Sequence, residues 1–331
     1  MEFSELKKKA LLKYFERTNK PQRDAIFRTE GAVLIIAGAG SGKTTVLCNR
    51  IANLLLFGDA YHSDFERRLT EDDEQFLRFY IDGIYPDSPE VIEHLSDLIG
   101  HNRVFPWKIL AVTFTNKAAA ELKERLCRMN APAGEVWAAT FHSTCVRILR
   151  RSITAIGYNQ NFVIYDADDS KRVIKSVMDA MNISDKTFNP KVIMSAISKA
   201  KDKLLTPEKF PVTNGDKADF QLQVIRDIYF EYQNRLKKAN ALDFDDIIMK
   251  TVEVFRADPE ALRYWQNHFD YVMVDEYQDT NMAQYELVKL ISGGKGNLCV
   301  VGDEDQSIYR FRGATIENIL SFENQFNAEV I

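Results

Sequence analysis

The chain has 331 residues, 45% of them hydrophobic and 27% charged, with a formal net charge of -5. That length accommodates two domains or three, and no uninterrupted apolar run approaches the roughly 18 residues a membrane helix needs, so no membrane partner is expected. Met1 to Leu6 lacks the basic region and long apolar stretch of a secretory leader, and Cys48, Cys127, Cys145 and Cys299 lack C-x-x-C spacing, which together predict a cytoplasmic protein with reduced, buried thiols and no structural zinc.

In chain order, residues 4–16 predict a short amphipathic helix, with Leu6, Ala10 and Tyr14 on one side. Asn19 caps a second helix that has Pro21 in its first turn. The apolar run Ala32 to Ala37 then leads into Gly38-Ala39-Gly40-Ser41-Gly42-Lys43-Thr44-Thr45. This is a Walker A pattern in its proper context: a buried strand, a glycine turn, then a helix that runs to near Gly58. The turn's N–H groups can cradle phosphates, Lys43 can reach the β- and γ-phosphates, and the Thr44 hydroxyl can ligate magnesium.

The next stretch, 59–107, is acidic. Asp59 to Asp97 carries 12 Asp or Glu against 3 Arg, a net of -9, while the remainder of the chain is net +4. Helical pieces with turns at Tyr85-Pro86-Asp87-Ser88-Pro89 are predicted, and the segment reads as an insertion, a tolerated surface excursion in preference to a protein-partner site. Strands follow at 108–114 and 135–140, with a helix beginning at 115–122. From 149 to 238 helical periodicity takes over, punctuated by Gly157, Pro190, Pro207 and Pro211, and strands return at 269–274 and 297–301. The predicted class is α/β: a parallel sheet with helices on both faces, interrupted by a mostly helical domain.

Asp275 and Glu276 end the strand at 269–274, where acidic residues lie beside a P-loop in this architecture. Asp275 can hold the magnesium, and Glu276 can orient and deprotonate an attacking water. Gln306 follows the strand at 297–301 and can donate a hydrogen bond to a γ-phosphate or to that water.

These segments, taken together and in this order, resemble the superfamily 1A DNA helicases, the UvrD-, Rep- and PcrA-like group. Thr18 to Gln22 looks like the adenine-reading Q motif and Ala37 to Thr44 like motif I. Thr113 to Ala119 is similar to motif Ia, Thr140 to Ser143 with Arg147 to Arg150 to motif Ib, and Leu242 to Asp246 to the family's return from its helical insert. Val274 to Asn281 resembles motif II, and Gly302 to Ala314 motif III. The resemblance implies a RecA-like P-loop NTPase domain 1A over 1–148 and 239–331, with the insertion at 59–107, and a helical domain 1B over 149–238. It implies ATP and Mg2+ as ligands, with Gln22, Ala37 to Thr45 and Tyr309 at the nucleotide, and Lys43, Thr44, Asp275, Glu276 and Gln306 at the reacting phosphate. It also implies that Phe114, Thr115, Asn116, His142, Phe311 and Arg312 meet single-stranded DNA.

Three departures stand out. Thr45 occupies a position that is often arginine, Phe311 replaces a base-stacking tryptophan, and 59–107 is longer than the family's usual link, where a tolerated surface excursion is favoured over a partner-binding or DNA-steering element. The chain also stops at Ile331, before the motifs of a second RecA-like domain, so the resemblance implies the N-terminal part of a 3'-5' helicase acting on single-stranded DNA and single/double-strand junctions. Little hydrolysis is then expected of this part alone, because arginines from the second domain are worth roughly 10³ to 10⁵ in rate in related systems. The alternatives are the motor part of a helicase-nuclease and a nucleotide-dependent DNA- or protein-binding module.

Overall fold

Short apolar runs bounded by turn residues become strands, and longer amphipathic runs with polar caps become the helices that cover them. The computed structural model describes residues 2–38, 40–215, 217–303 and 321–331. The first part of the chain gives α1 (Phe3–Tyr14), α2 (Lys20–Phe27), β1 (Val33–Ile36), α3 (Lys43–Leu56), α4 (Glu71–Ile81), α5 (Pro89–Ile99), β2 (Ile109–Thr113), α6 (Asn116–Arg128), β3 (Trp137–Thr140) and α7 (Phe141–Ser152). The middle gives β4 (Val163–Ile164), α8 (Ala167–Ala180), α9 (Pro190–Asp202), β5 (Thr213–Asn214), β6 (Lys217–Ala218), α10 (Phe220–Lys238), β7 (Ala241–Leu242), α11 (Phe244–Ala257) and α12 (Pro259–His268). The last part gives β8 (Tyr271–Val274), α13 (Met282–Ser292), β9 (Leu298–Gly302) and β10 (Glu329–Val330).

Six strands form one parallel sheet in the order β10-β1-β9-β8-β2-β3. Its register aligns the carboxyl ends: Ile36 pairs with Gly302, Val274 with Val300 and Val112, and Thr113 with Thr140. Loops leaving one edge of a parallel sheet make its ligand crevice. Alternation along the strands separates two cores. Val33, Ile35, Ile109, Ala111, Met273 and Val301 pack under α1 to α6, whereas Leu34, Leu110, Val112, Val272, Val274 and Val300 pack under α7, α11 and α13. A third apolar cluster, built from α8, α9 and α10, belongs to the helical insert. The RecA-like layering expected from the sequence is the one observed.

The acidic stretch differs from its reading as a surface excursion. Leu77, Tyr80, Ile92, Leu95, Leu98 and Ile99 lie buried in the same core as β1 and β2, with Phe65, Phe76 and Ile81 packed against it. Its acidic residues cover the outer faces of α4 and α5, so net charge described the surface and not the segment's role. The two ends of the stretch meet in a parallel bridge between Gly58 and His101, and a Cβ on Gly58 would lie 2.0 Å from the His101 carbonyl oxygen. Cys48, Cys145 and Cys299 are buried free thiols as expected, but Cys127 is exposed, because it falls on the outer side of α6. Strand β10 carries no signal in the sequence beyond a short apolar end.

Candidate functional site: a P-loop edge beside an aromatic cleft

The P-loop leaves β1 at Ala37, whose N–H donates to the Gly302 carbonyl at 3.0 Å. Gly42, at φ +86°, takes a left-handed conformation that only glycine adopts without strain, and this turns the chain into α3. Ser41 Oγ donates to the Gly38 carbonyl at 2.6 Å and closes the loop. Gln22 uses both ends of its amide. Oε1 accepts the Asn19 N–H at 3.0 Å in a capping box on α2, and Nε2 donates to the Ser41 carbonyl at 3.1 Å. The Q-motif segment is thereby fastened to the P-loop.

Lys43 and Thr44 open α3 and face the exits of neighbouring strands. Lys43 Nζ forms a buried ion pair with Asp303 Oδ2 at 3.0 Å, and Thr44 Oγ1 donates to Asp275 Oδ2 at 3.2 Å. Burial, then the nearby Glu276 charge, holds the Asp275 carboxyl above its ordinary range. A hydroxyl and a carboxylate side by side are the hard oxygen donors that Mg2+ takes next to substrate phosphates, and a divalent charge would offset the raised proton affinity. These residues fit that ion. Thr45 is exposed on the first turn of α3, where Arg125 of α6 approaches it at 3.5 Å.

Glu276 sits in a left-handed conformation, φ +52° and ψ +44°. For a non-glycine residue this costs about 1–3 kcal/mol and tends to occur at functional sites. Its N–H donates to Asp275 Oδ1 at 3.0 Å, and its Oε2 accepts from Gln278 Nε2 at 2.7 Å. Asp279, next in the turn, is pushed up to about 6 by burial and by Glu276.

A cleft of about 500 Å³ opens beside this edge, between the sheet and the helical insert. Phe114 and His142 line it, with Phe244 from the start of α11, Lys199 from α9 and Asn281 from the motif II segment. The His142 ring stacks on Phe244 at 3.8 Å, and burial lowers its pKa to about 4, so it is a neutral aromatic surface at pH 7. Phe244 is 57% exposed, so its ring is accessible from the cleft it lines. Thr115 and Asn116 are exposed at the start of α6, outside the cleft wall. Thr115 Oγ1 there accepts the Ala118 N–H at 3.1 Å as a helix cap.

The structure thus brings Gln22, Ala37, Gly38, Gly40, Ser41, Gly42, Lys43, Thr44, Asp275 and Glu276 to one sheet edge, and Phe114 and His142 to the adjoining cleft. Ala39, Gln306, Tyr309, Phe311 and Arg312 lie outside the described residues. Gln278, Asp303, Phe244 and Lys199 join the site without having been singled out from the sequence. Phe244, Gln278 and Asp303 fall inside the segments Leu242 to Asp246, Val274 to Asn281 and Gly302 to Ala314, which carried the resemblance without assigning them roles, whereas Lys199 lies in no such segment.

Comparison with known proteins adds an independent line. The UvrD/REP helicase N-terminal domain matches residues 18–63 and 90–327, passing over 64–89. ATP-dependent DNA helicase PcrA of Bacillus subtilis (strain 168) is 45% identical over 315 residues, covering 95% of this chain and 36% of that protein. The protein of the same name from Staphylococcus aureus (strain Mu50 / ATCC 700699) is 45% identical over 309 residues, covering 93% of this chain and 36% of its own length. This chain therefore spans about a third of the curated relatives it matches.

Proposed function

Because the chain belongs to the UvrD/REP helicase family, we propose that it is the ATP-binding part of a helicase that couples ATP hydrolysis to 3'-5' movement on single-stranded DNA. Residues 1–148 and 239–331 form the nucleotide-binding unit in this reading, and 149–238 the helical insert. The supporting observation is the convergence of Lys43, Thr44, Asp275 and Glu276 on one sheet edge, with an aromatic cleft opening directly beside it.

ATP lies with its phosphates in the 38–44 loop and its base toward Gln22. Thr44 and Asp275 hold Mg2+, which neutralises phosphate charge when bound. Lys43 carries charge that develops on the γ-phosphoryl oxygens, and the Glu276 carboxylate orients the attacking water and takes its proton. Lys43 begins this work from an ion pair with Asp303, so phosphate competes with a buried carboxylate for the same ammonium. In the cleft, Phe114, His142 and Phe244 offer flat apolar faces to unstacked bases, and Lys199 offers charge to phosphate. Single-stranded DNA and single/double-strand junctions are the matching partners.

The test is ATP turnover by the complete product of the gene, with and without single-stranded DNA, together with strand separation on a 3'-tailed duplex. DNA should stimulate hydrolysis, and unwinding should require it. ATP binding with no DNA-stimulated turnover would instead favour a nucleotide-dependent binding module.

A further inference from the structure

Gln278 lies in the 3-10 turn Tyr277–Asp279 and is only 2% exposed. A buried primary amide must find partners for both a donor and an acceptor end. Here Nε2 donates to Glu276 Oε2 at 2.7 Å, and Oε1 accepts the main-chain N–H of Asp303 at 3.0 Å. The opposite orientation would set oxygen against a carboxylate and NH2 against an N–H, so the partners themselves fix the assignment. The bond from Gln278 is the only hydrogen bond to the Glu276 side chain among the described residues. At its other end the amide grips the residue whose carboxylate pairs with Lys43. One side chain thus spans the exits of β8 and β9, between the carboxylate facing the water and the counter-charge of the phosphate-binding lysine.

We propose that Gln278 is a positioning residue for ATP hydrolysis, fixing the angle of the Glu276 carboxylate and making that angle depend on the main chain at Asp303. The inference rests on the reading of Glu276 as the base. Gln278 touches no reacting atom and moves no proton. It keeps one carboxylate oxygen occupied so that the other is presented to the water. When phosphate draws Lys43 from Asp303, the change at the β9 exit reaches Glu276 through two hydrogen bonds.

The test compares wild type, Gln278→Met, Glu276→Gln and the double variant in single-turnover hydrolysis by the gene's complete product, with fluorescent-ATP titration alongside. Methionine keeps the length and volume of glutamine and removes both hydrogen bonds. Gln278→Met should slow hydrolysis about 10- to 100-fold, less than the roughly 10²–10⁴ that a general base contributes, with Kd for ATP changed less than about twofold. In the Glu276→Gln background it should add no further loss, because an effect exerted through Glu276 then has nothing to act on. A wild-type rate in Gln278→Met, a loss that multiplies in full onto Glu276→Gln, or a Kd that weakens in proportion to the rate would each overturn the proposal. Should the methionine variant fail to fold, Gln278→Glu keeps the acceptor for Asp303 and reverses the contact with Glu276. The same slowing is expected of it, and an unchanged rate would count against the proposal. If Glu276→Gln itself hydrolyses at the wild-type rate, the base assignment falls. If only Gln278→Met is normal, the positioning role falls alone.

Discussion

Residues singled out for a ligand role at this sheet edge also do backbone work. Gln22 completes a capping box while holding the P-loop, and Thr115 and Thr140 cap α6 and α7. The sequence pattern that marks them as functional is in part the pattern of a helix start. Lys43 and Glu276 have no such second duty, and their variants should fail differently. Lys43→Ala should weaken both ATP binding and turnover, whereas Glu276→Gln should spare binding and abolish hydrolysis, read by fluorescent-ATP titration and phosphate release. Equal loss of binding in both would contradict the assigned roles. Phe244→Ala should weaken single-stranded DNA binding by about 1–3 kcal/mol, the usual worth of a base–aromatic stack, at nearly unchanged Tm because the ring is already largely in solvent. A large fall in Tm would make Phe244 a packing residue instead. The convergence of Lys43, Thr44, Asp275 and Glu276 was legible because the residue types and their local spacing place them at neighbouring strand exits. Gln278 and Asp303 lay inside the segments that carried the resemblance, but the bond between them was not legible, because a buried amide and a main-chain N–H meet only when distant strand exits come together.

Among the elements, α4 and α5 carry the clearest departure from sequence expectation. An acidic composition and unusual length suggested a dispensable stretch, but hydrophobic periodicity decides burial, and α5 places Ile92, Leu95, Leu98 and Ile99 inward. Replacing 64–89 with a short linker should strip Leu77 and Tyr80 from the core and broaden thermal unfolding measured by circular dichroism. A sharp transition at the original Tm would return this stretch to the status of a surface excursion. Leu77→Ala alone should cost about 2–5 kcal/mol in denaturant titration, the range for a buried leucine. Strands β1, β2, β3, β8 and β9 and helices α1, α2, α3 and α6, by contrast, fell close to their predicted places, since short apolar or periodic runs with turn and cap residues at their ends specify them locally, whereas α11, α12 and α13 were not anticipated.

At the scale of the molecule, the sheet and the helical insert are joined through polar contacts of unequal character. Lys201 of α9 is fully buried between Asp243 at 2.6 Å and Asp246 at 2.9 Å, a network closed by Tyr232. Next to it Asp202 accepts from Asn281 Nδ2 at 2.6 Å, and burial, with the Asp245 charge, pushes its carboxyl up to about 7. The folded protein therefore binds a proton that the unfolded chain has already released. That stabilisation is complete below about pH 4 and is lost as pH rises through about 7. Asp202→Asn should remove this loss, gaining about 1–2 kcal/mol at pH 8 and little at pH 4, because partial exposure screens the effect. Denaturant melts at the two pH values measure it, and parallel curves for both proteins would refute it. No local pattern could have announced this junction, for its partners lie on α9 and at the start of α13.

Lys43 and Asp303 stand 260 positions apart, and β1 is hemmed by β9 and β10 from the far end of the sequence. On a ribosome adding about 5–20 residues per second, the phosphate loop would wait roughly 13–50 s for its counter-charge. During that interval the strand behind it has open edges and apolar faces, the condition in which nascent chains aggregate or recruit chaperones. Stalled nascent chains ending before residue 298 should therefore show a protease-sensitive loop at 37–45 that becomes resistant once β9 and β10 have been made. The distance that unites the site in space is what makes its birth slow.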